Sequence, residues 1–97
     1  MSQFELARHA LGDLEEIWEW VADDSLTAAD NLIEDFYRTF RRLAAVPGMG
    51  HKRQDLTERD VLFWALYSYL IIYRSSQPLH VVRIIHAKRD VKTLLTR

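Results

Sequence analysis

The hydrophobic residues of the chain alternate with polar ones at its start and then change to a helical spacing. In SQFELA, Phe4 and Leu6 alternate with the polar Gln3 and Glu5, which is the period of a half-buried strand. In the following HALGDLEEIWEWVADD, apolar residues recur at intervals of three and four, which predicts an amphipathic helix. The predicted apolar stripe is Leu11, Leu14, Ile17, Trp18 and Val21, and the predicted polar face is acidic, with Asp13, Glu15, Glu16 and Glu19.

A second amphipathic helix follows after a short break. Ser25 or Thr27 in DDSLTAAD can accept hydrogen bonds from the free N–H groups of a new helix. Pro47 in PGMG cannot continue that helix, so we predict that it ends near Ala45. The short connection predicts an antiparallel helical hairpin. The stripe of the second helix is Leu32, Ile33, Phe36, Phe40 and Leu43.

The second half of the chain has the residue types of β-strands. VLFWALY and YLIIYR are rich in β-branched and aromatic residues, and they adjoin near Tyr67 and Ser68, which predicts a hairpin. LHVVRIIHA follows the turn SSQP and predicts another strand. In RDVKTLLTR, helical spacing returns, and Asp90 is the expected N-cap of a short terminal helix.

These elements predict one α+β domain that spans residues 1–97. The order is β-α-α-β-β-β plus a short C-terminal helix, and the expected architecture is an antiparallel sheet with the helical hairpin packed on one face. The opposite face of the sheet is then partly open. We expect that open face to form the functional groove.

Charge is divided unevenly between the two halves of the chain. The net charge is −1, but residues 1–45 sum to −6 and residues 46–97 to +5. This division predicts an acidic helical side and a basic strand side, the latter suited to an anionic target. The chain has no cysteine, no signal peptide at its start and no apolar run of membrane length, so we expect a cytoplasmic protein that does not enter the membrane.

Metal and cofactor chemistry find little support in the sequence. His80 and His86 share a strand but stand six residues, roughly 20 Å, apart. The adjacent carboxylates of the first helix fit a solvated face better than an acid–base pair. There is also no glycine-rich phosphate loop in a strand–loop–helix context. We therefore predict no metal, no cofactor and no catalytic residue.

Two groups of residues remain as candidates for function. A basic cluster comprises Arg74, Arg83, His86, Lys88 and Arg89. On paper, His86 and Arg83 meet the needs of metal-free RNA cleavage, which are a base for the 2′-hydroxyl and a cation for the phosphate. Alternatively, Arg83 is a structural arginine that pairs with an acid. Trp20 lies off the apolar stripe of the first helix and Tyr37 at the margin of the second stripe, and these aromatics either widen the core or anchor a protein interface.

The chain resembles the RelE/ParE superfamily of type II toxin–antitoxin toxins, and specifically its ParE branch, over nearly its full length. The resemblance rests on ALGDLEEIWEWVADDS, PGMG, YLIIYR and VVRIIHAKRDV. The last two are the most specific, because the family ends in an apolar–Arg–apolar–apolar–His element followed by a basic pair and Asp. One departure is that Leu62 replaces an arginine that many relatives carry early in the second strand, with Arg59 slightly upstream.

The resemblance implies a toxin that inhibits DNA gyrase and blocks replication without catalysing a reaction. It further implies a ParD-like antitoxin, with which the toxin forms a hetero-oligomer, and no sequence-specific nucleic-acid binding by the toxin alone. The expected gyrase contacts are Arg83, His86, Lys88 and Arg89, and the expected antitoxin contacts are Trp20, Tyr37, Phe63, Trp64 and Arg74. The alternatives are a RelE-type, ribosome-dependent mRNA endonuclease and a non-toxic antitoxin-binding module.

Overall fold

A computed structural model describes residues 3–96 of the chain. Its elements are β1 (Phe4–Leu6), α1 (Arg8–Ala22), α2 (Leu26–Ala45), a 3₁₀ turn (Pro47–Met49), β2 (Leu62–Leu66), β3 (Tyr69–Arg74), β4 (Leu79–His86) and α3 (Val91–Leu95). The predicted order of helices and strands is confirmed. Ser25 is the N-cap of α2, with its hydroxyl oxygen 3.1 Å from the N–H of Ala28 that donates to it.

The four strands form one sheet in the order β1-β4-β3-β2. The β2–β3 and β3–β4 pairs are antiparallel, and the predicted hairpin at Tyr67 and Ser68 joins the first pair. The expectation of a purely antiparallel sheet is wrong, because β1 pairs in parallel with β4. Since the helical hairpin and two strands separate β1 from β4, no tight turn dictates their relative direction, and a parallel pair is allowed.

The α1–α2 hairpin packs on one face of the sheet and forms the main core. Phe36, Phe40 and Leu43 of α2 are fully buried there, against Ile71, Tyr73 and Val81 of the sheet. Aromatic rings continue this core to β1, where Phe4 lies 5.5 Å from Phe40 between ring centroids. The predicted stripe of α2 is therefore the face that the helix buries.

The other face of the sheet is less open than the sequence predicts. Here α3 and the segment between the 3₁₀ turn and β2 cover a second core, made of Val61, Phe63, Ile72, Ile85, Val91 and Leu95. As predicted, Asp90 is the N-cap of α3, and hydrogen bonds from Thr93 lower the pKa of this aspartate. The short C-terminal helix thus occupies much of the surface that we expected to be free.

One part of the predicted α1 stripe is wrong. Leu11 is 44% exposed, whereas Asp13, which was assigned to the polar face, is only 8% exposed. The buried face of α1 instead contains Ala10, Asp13 and Leu14. Burial of a carboxylate requires partners, and Asp13 finds them in β4, as described below.

Gly50 lies where a side chain has no room. Its N–H donates to the hydroxyl of Tyr73 at 2.9 Å, and that hydroxyl donates to the carbonyl of Pro47 at 2.7 Å. Burial raises the pKa of Tyr73, and the hydrogen bond from Gly50 lowers it by a smaller amount. These hydrogen bonds hold the segment that follows α2 against the centre of the sheet.

We expect Gly50→Ala to lower the free energy of unfolding by about 1–3 kcal/mol, the usual range for overpacking. A Cβ atom at this position would lie 2.5 Å from the Tyr73 hydroxyl oxygen and 3.0 Å from the carbonyl oxygen of Phe63. Urea unfolding measures the change, and Gly48→Ala is the matched control because its Cβ would meet nothing within 4 Å. Equal effects of the two substitutions would contradict the steric explanation.

Among the described residues, 3–96, no helix is long and apolar enough to cross a membrane.

Candidate functional site

A groove lies between α1 and the end of β4, and we call it the α1–β4 groove. Its volume is about 460 Å³, and the residues that line it are Asp13, Glu16, Ile17, Trp20, Tyr69, Ile84, Ile85, His86 and Arg89. The floor is mainly apolar. Polar and charged groups stand on both sides of it, Glu16 on the helix and His86 and Arg89 on the strand end and following turn.

The groove exists because β1 is short. β1 pairs with β4 only along Leu79–Val81, so within residues 3–96 the second half of β4 has no strand neighbour on that side. α1 crosses this uncovered edge instead. A strand edge without a partner leaves N–H groups to be satisfied by other means.

Asp13 of α1 provides a hydrogen-bond acceptor for this strand edge. Its Oδ2 accepts the backbone N–H of Ile84 at 2.9 Å. The same carboxylate accepts two bonds from the Arg83 guanidinium, Nε to Oδ2 at 2.8 Å and Nη2 to Oδ1 at 3.1 Å. Arg83 is 9% exposed. This bidentate pair is buried and fixes α1 against β4 at the base of the groove.

His86 is held in one orientation at the other end of the groove. Its Nδ1 accepts the backbone N–H of Lys88 at 3.1 Å, so a neutral ring carries its hydrogen on Nε2. The ring also packs edge-on against Tyr69, with centroids 5.2 Å apart. His86 therefore presents a defined polar edge beside an aromatic surface.

Trp20 is the most exposed large hydrophobic residue of the described chain, at 78%. Its neighbour Trp18 behaves differently, because the indole N–H of Trp18 donates to Asp30 at 2.9 Å and links α1 to α2. No such bond restrains Trp20 among residues 3–96. A large solvent-exposed aromatic side chain beside an apolar groove is typical of a protein interface.

The four predicted gyrase-contact residues have different surroundings. His86 and Arg89 line the α1–β4 groove, and Lys88 is exposed on the turn between them. Arg83 is buried in the pair with Asp13 and lines a different cavity, on the α3 side of the sheet. The structure therefore brings His86 and Arg89 together and places Arg83 apart from them.

The five predicted antitoxin contacts are also dispersed. Only Trp20 lines the groove. Tyr37 is half-buried on α2 and packs on Phe40, and Trp64 is half-buried against the main core. Phe63 is buried in the second core, and Arg74 is exposed at the end of β3, beside the cavity on the α3 side.

Sequence reasoning missed Asp13, Glu16 and Tyr69 as residues of the site. The signal for the first two was present, because Asp13, Glu16 and Trp20 are spaced by three and four along α1 and so share a face. This signal was not recognised because a carboxylate on a helix is normally assigned to the solvent-exposed face. Tyr69 had no comparable signal, since only the sheet register places it opposite His86.

Among the described residues, no three His, Asp or Glu side chains are grouped in a way that could hold a metal ion. The groove offers instead an apolar floor with a few charged groups. Such a surface is suited to binding a segment of another protein.

The fold has a clear counterpart among solved structures. A chain from the structure described as "Chromosomal ParDE TA system from P. aeruginosa" superposes with a TM-score of 0.72 and 20% sequence identity, over 91% of this chain and 98% of that one. At this identity the likeness establishes the architecture, a small α+β fold with a helical hairpin on a four-stranded sheet. No curated protein sequence matches the chain significantly.

The family follows from the sequence profile. Residues 4–91 match the family described as "ParE toxin of type II toxin-antitoxin system, parDE". The chain therefore belongs to the ParE toxin family, which confirms the resemblance inferred from its motifs.

Proposed function

We propose that this chain inhibits DNA gyrase by binding to it, without catalysing a reaction, and that a ParD-like antitoxin neutralises it by filling the α1–β4 groove. Membership of the ParE family supports the toxin role and an antitoxin partner. The single observation that carries the rest is the composition of the groove. One cavity combines the exposed Trp20 with His86 and Arg89.

This combination gives a simple mechanism of neutralisation. An antitoxin segment that buries Trp20 against the groove must pass the side of the groove formed by His86 and the cationic Arg89. The segment thereby covers the groups that we assign to gyrase contact. Glu16, on the opposite side of the groove, can pair with a cation of the segment and fix its direction.

The positions of Arg83 and His86 support a non-catalytic mode. RNA cleavage by these two residues needs both at one phosphate, yet they line different cavities. Two donors of Arg83 are also occupied by Asp13. Arg83 accordingly takes a structural role in the proposal: it holds the strand that presents His86.

The first experiment is a gyrase supercoiling assay with the purified toxin, with and without its antitoxin. Loss of supercoiling that the antitoxin reverses supports the proposal. Intact supercoiling combined with cleavage of ribosome-bound mRNA would replace it with the RelE-type alternative. Absence of both activities from a folded toxin would favour the non-toxic binding module.

Arg89→Gln tests the cationic side of the groove. We expect it to raise the toxin concentration needed for half-inhibition of gyrase by about 10- to 100-fold, the effect of losing a charged interface contact. The matched control is Arg41→Gln, which makes the same charge change on α2, at an exposed site outside the groove. If both variants lose the same activity, net charge rather than the groove explains the result.

A further inference from the structure

A second cavity, of about 300 Å³, lies on the α3 side of the sheet, and we call it the α3 cavity. It is bordered by the end of α3, the neighbouring ends of β3 and β4, and the start of α1. Five of its lining residues are arginines or histidines: His9, Arg59, Arg74, His80 and Arg83. No Asp or Glu is among the described residues that line it.

Two of these five side chains lie close to a carboxylate. Arg83 is paired with Asp13, and His80 lies 3.1 Å from a carboxylate oxygen of Glu5. The Nη1 atom of Arg83 lies 3.5 Å from the carbonyl oxygen of Leu94, and the Nη1 atom of Arg59 lies 3.5 Å from the carbonyl oxygen of Leu95, both at the end of α3. These long contacts place the two guanidinium groups against the helix end.

Arg59 and Arg74 retain free donors. Arg59 contributes one of its five N–H groups to Leu95, and within residues 3–96 its side chain has no carboxylate partner. The side chain of Arg74 has neither a hydrogen bond nor an ion pair within the same residues, although it lies at the rim of the cavity. Two uncompensated guanidinium groups thus face one concave site.

We propose that the α3 cavity binds a phosphate group, supplied either by a nucleic-acid backbone or by a free phosphate. Guanidinium groups bind phosphate oxygens through paired N–H donors, and two of them can share one tetrahedral anion. The ring of His9 offers a further donor at the same site. A cation is disfavoured there because the described lining residues include no carboxylate ligand.

The site is distinct from the α1–β4 groove, because the two cavities share no lining residue among residues 3–96. It also differs from bulk attraction to nucleic acid, since the net charge of the chain is −1. The inference does not depend on the proposed function, and each can fail without the other.

Amide NMR titrations of the full chain test the proposal. Inorganic phosphate and a short DNA duplex are added in turn, with acetate at matched ionic strength as the reference anion. We expect phosphate to shift the amides of Arg74, His80 and Val82. Arg74→Gln should weaken the phosphate affinity at least about tenfold, whereas Arg41→Gln should leave it unchanged.

The two probes distinguish the sources of the phosphate. Shifts at the cavity with both probes, each weakened by Arg74→Gln, support a backbone phosphate, and shifts with inorganic phosphate alone support a small phosphate ligand. The proposal is overturned if neither probe shifts these amides, if acetate shifts them equally, or if Arg41→Gln is as damaging as Arg74→Gln. Arg59→Gln is a second variant, which serves if Arg74→Gln does not fold.

Discussion

Asp13→Ala is expected to lower the free energy of unfolding by about 3–5 kcal/mol, the usual cost of removing one partner from a buried ion pair. The substitution would leave the guanidinium of Arg83 without its carboxylate, at a site where the arginine is 9% exposed. It would also remove the acceptor of the Ile84 N–H on the uncovered part of β4. Since small domains are stable by only about 5–15 kcal/mol, such a loss can leave much of the protein unfolded.

Urea unfolding followed by tryptophan fluorescence measures this effect. The matched control is Glu15→Ala, which removes an exposed carboxylate from the same helix and should change stability by less than about 0.5 kcal/mol. A second variant, Asp13→Leu with Arg83→Met, removes both charges and should recover part of the loss. If Asp13→Ala is as stable as the control, the pair does not hold α1 against β4.

Trp20→Ala is expected to weaken antitoxin binding by about 30- to 1,000-fold, the range for losing a central aromatic anchor. At 78% exposure the indole contributes little to the core, so the free toxin should remain as stable as before. The result separates binding from folding. Titration calorimetry with the proposed ParD-like partner gives the affinity, and thermal unfolding checks the fold.

Val46→Ala is the control for this second prediction. Val46 is also an exposed hydrophobic residue, but it lies at the end of α2 and does not line the groove. We expect its substitution to change the affinity by less than about threefold, as for most residues outside a hot spot. If Trp20→Ala binds the antitoxin normally, the partner does not use this groove.

The two predictions concern the same structural unit. Asp13 lines the groove and pairs with Arg83, and Trp20 stands two helical turns further along α1. The ion pair sets the distance between the helix and β4, and the groove is the space that remains between them. A toxin surface held in this way is preformed, so a partner loses little free energy in ordering it.

The periodicity of the chain was enough to predict most of the local structure. Ser25, Pro47 and Asp90 mark element ends through local chemistry, which depends only on neighbouring residues. The core positions Phe36, Phe40 and Leu43 were recognisable because the apolar stripe of an amphipathic helix faces the core. The family was likewise recognisable from short motifs, and the profile match over residues 4–91 confirms it.

The site could be predicted only in part. His86 and Arg89 were named as candidates because they lie where the apolar pattern of the last strand stops, and Trp20 because of its offset on α1, yet nothing local places the three in one groove. Asp13 was assigned to solvent and Arg83 to a cluster with His86. Pairing of Arg83 with an acid was the alternative, but the sequence could not identify Asp13 as that acid, because the two residues are 70 positions apart and only the completed fold brings them together.

What the sequence by itself determined, then, is the set of elements, their order and most of the faces that they bury, because helix caps, turns and periodicity act over a few residues. The tertiary structure decided the parallel pairing of β1, the covering of the second sheet face by α3, and the burial of Asp13 with Arg83. These features depend on which surfaces meet when all elements pack at once. A buried charge is tolerated only where that packing supplies its partner.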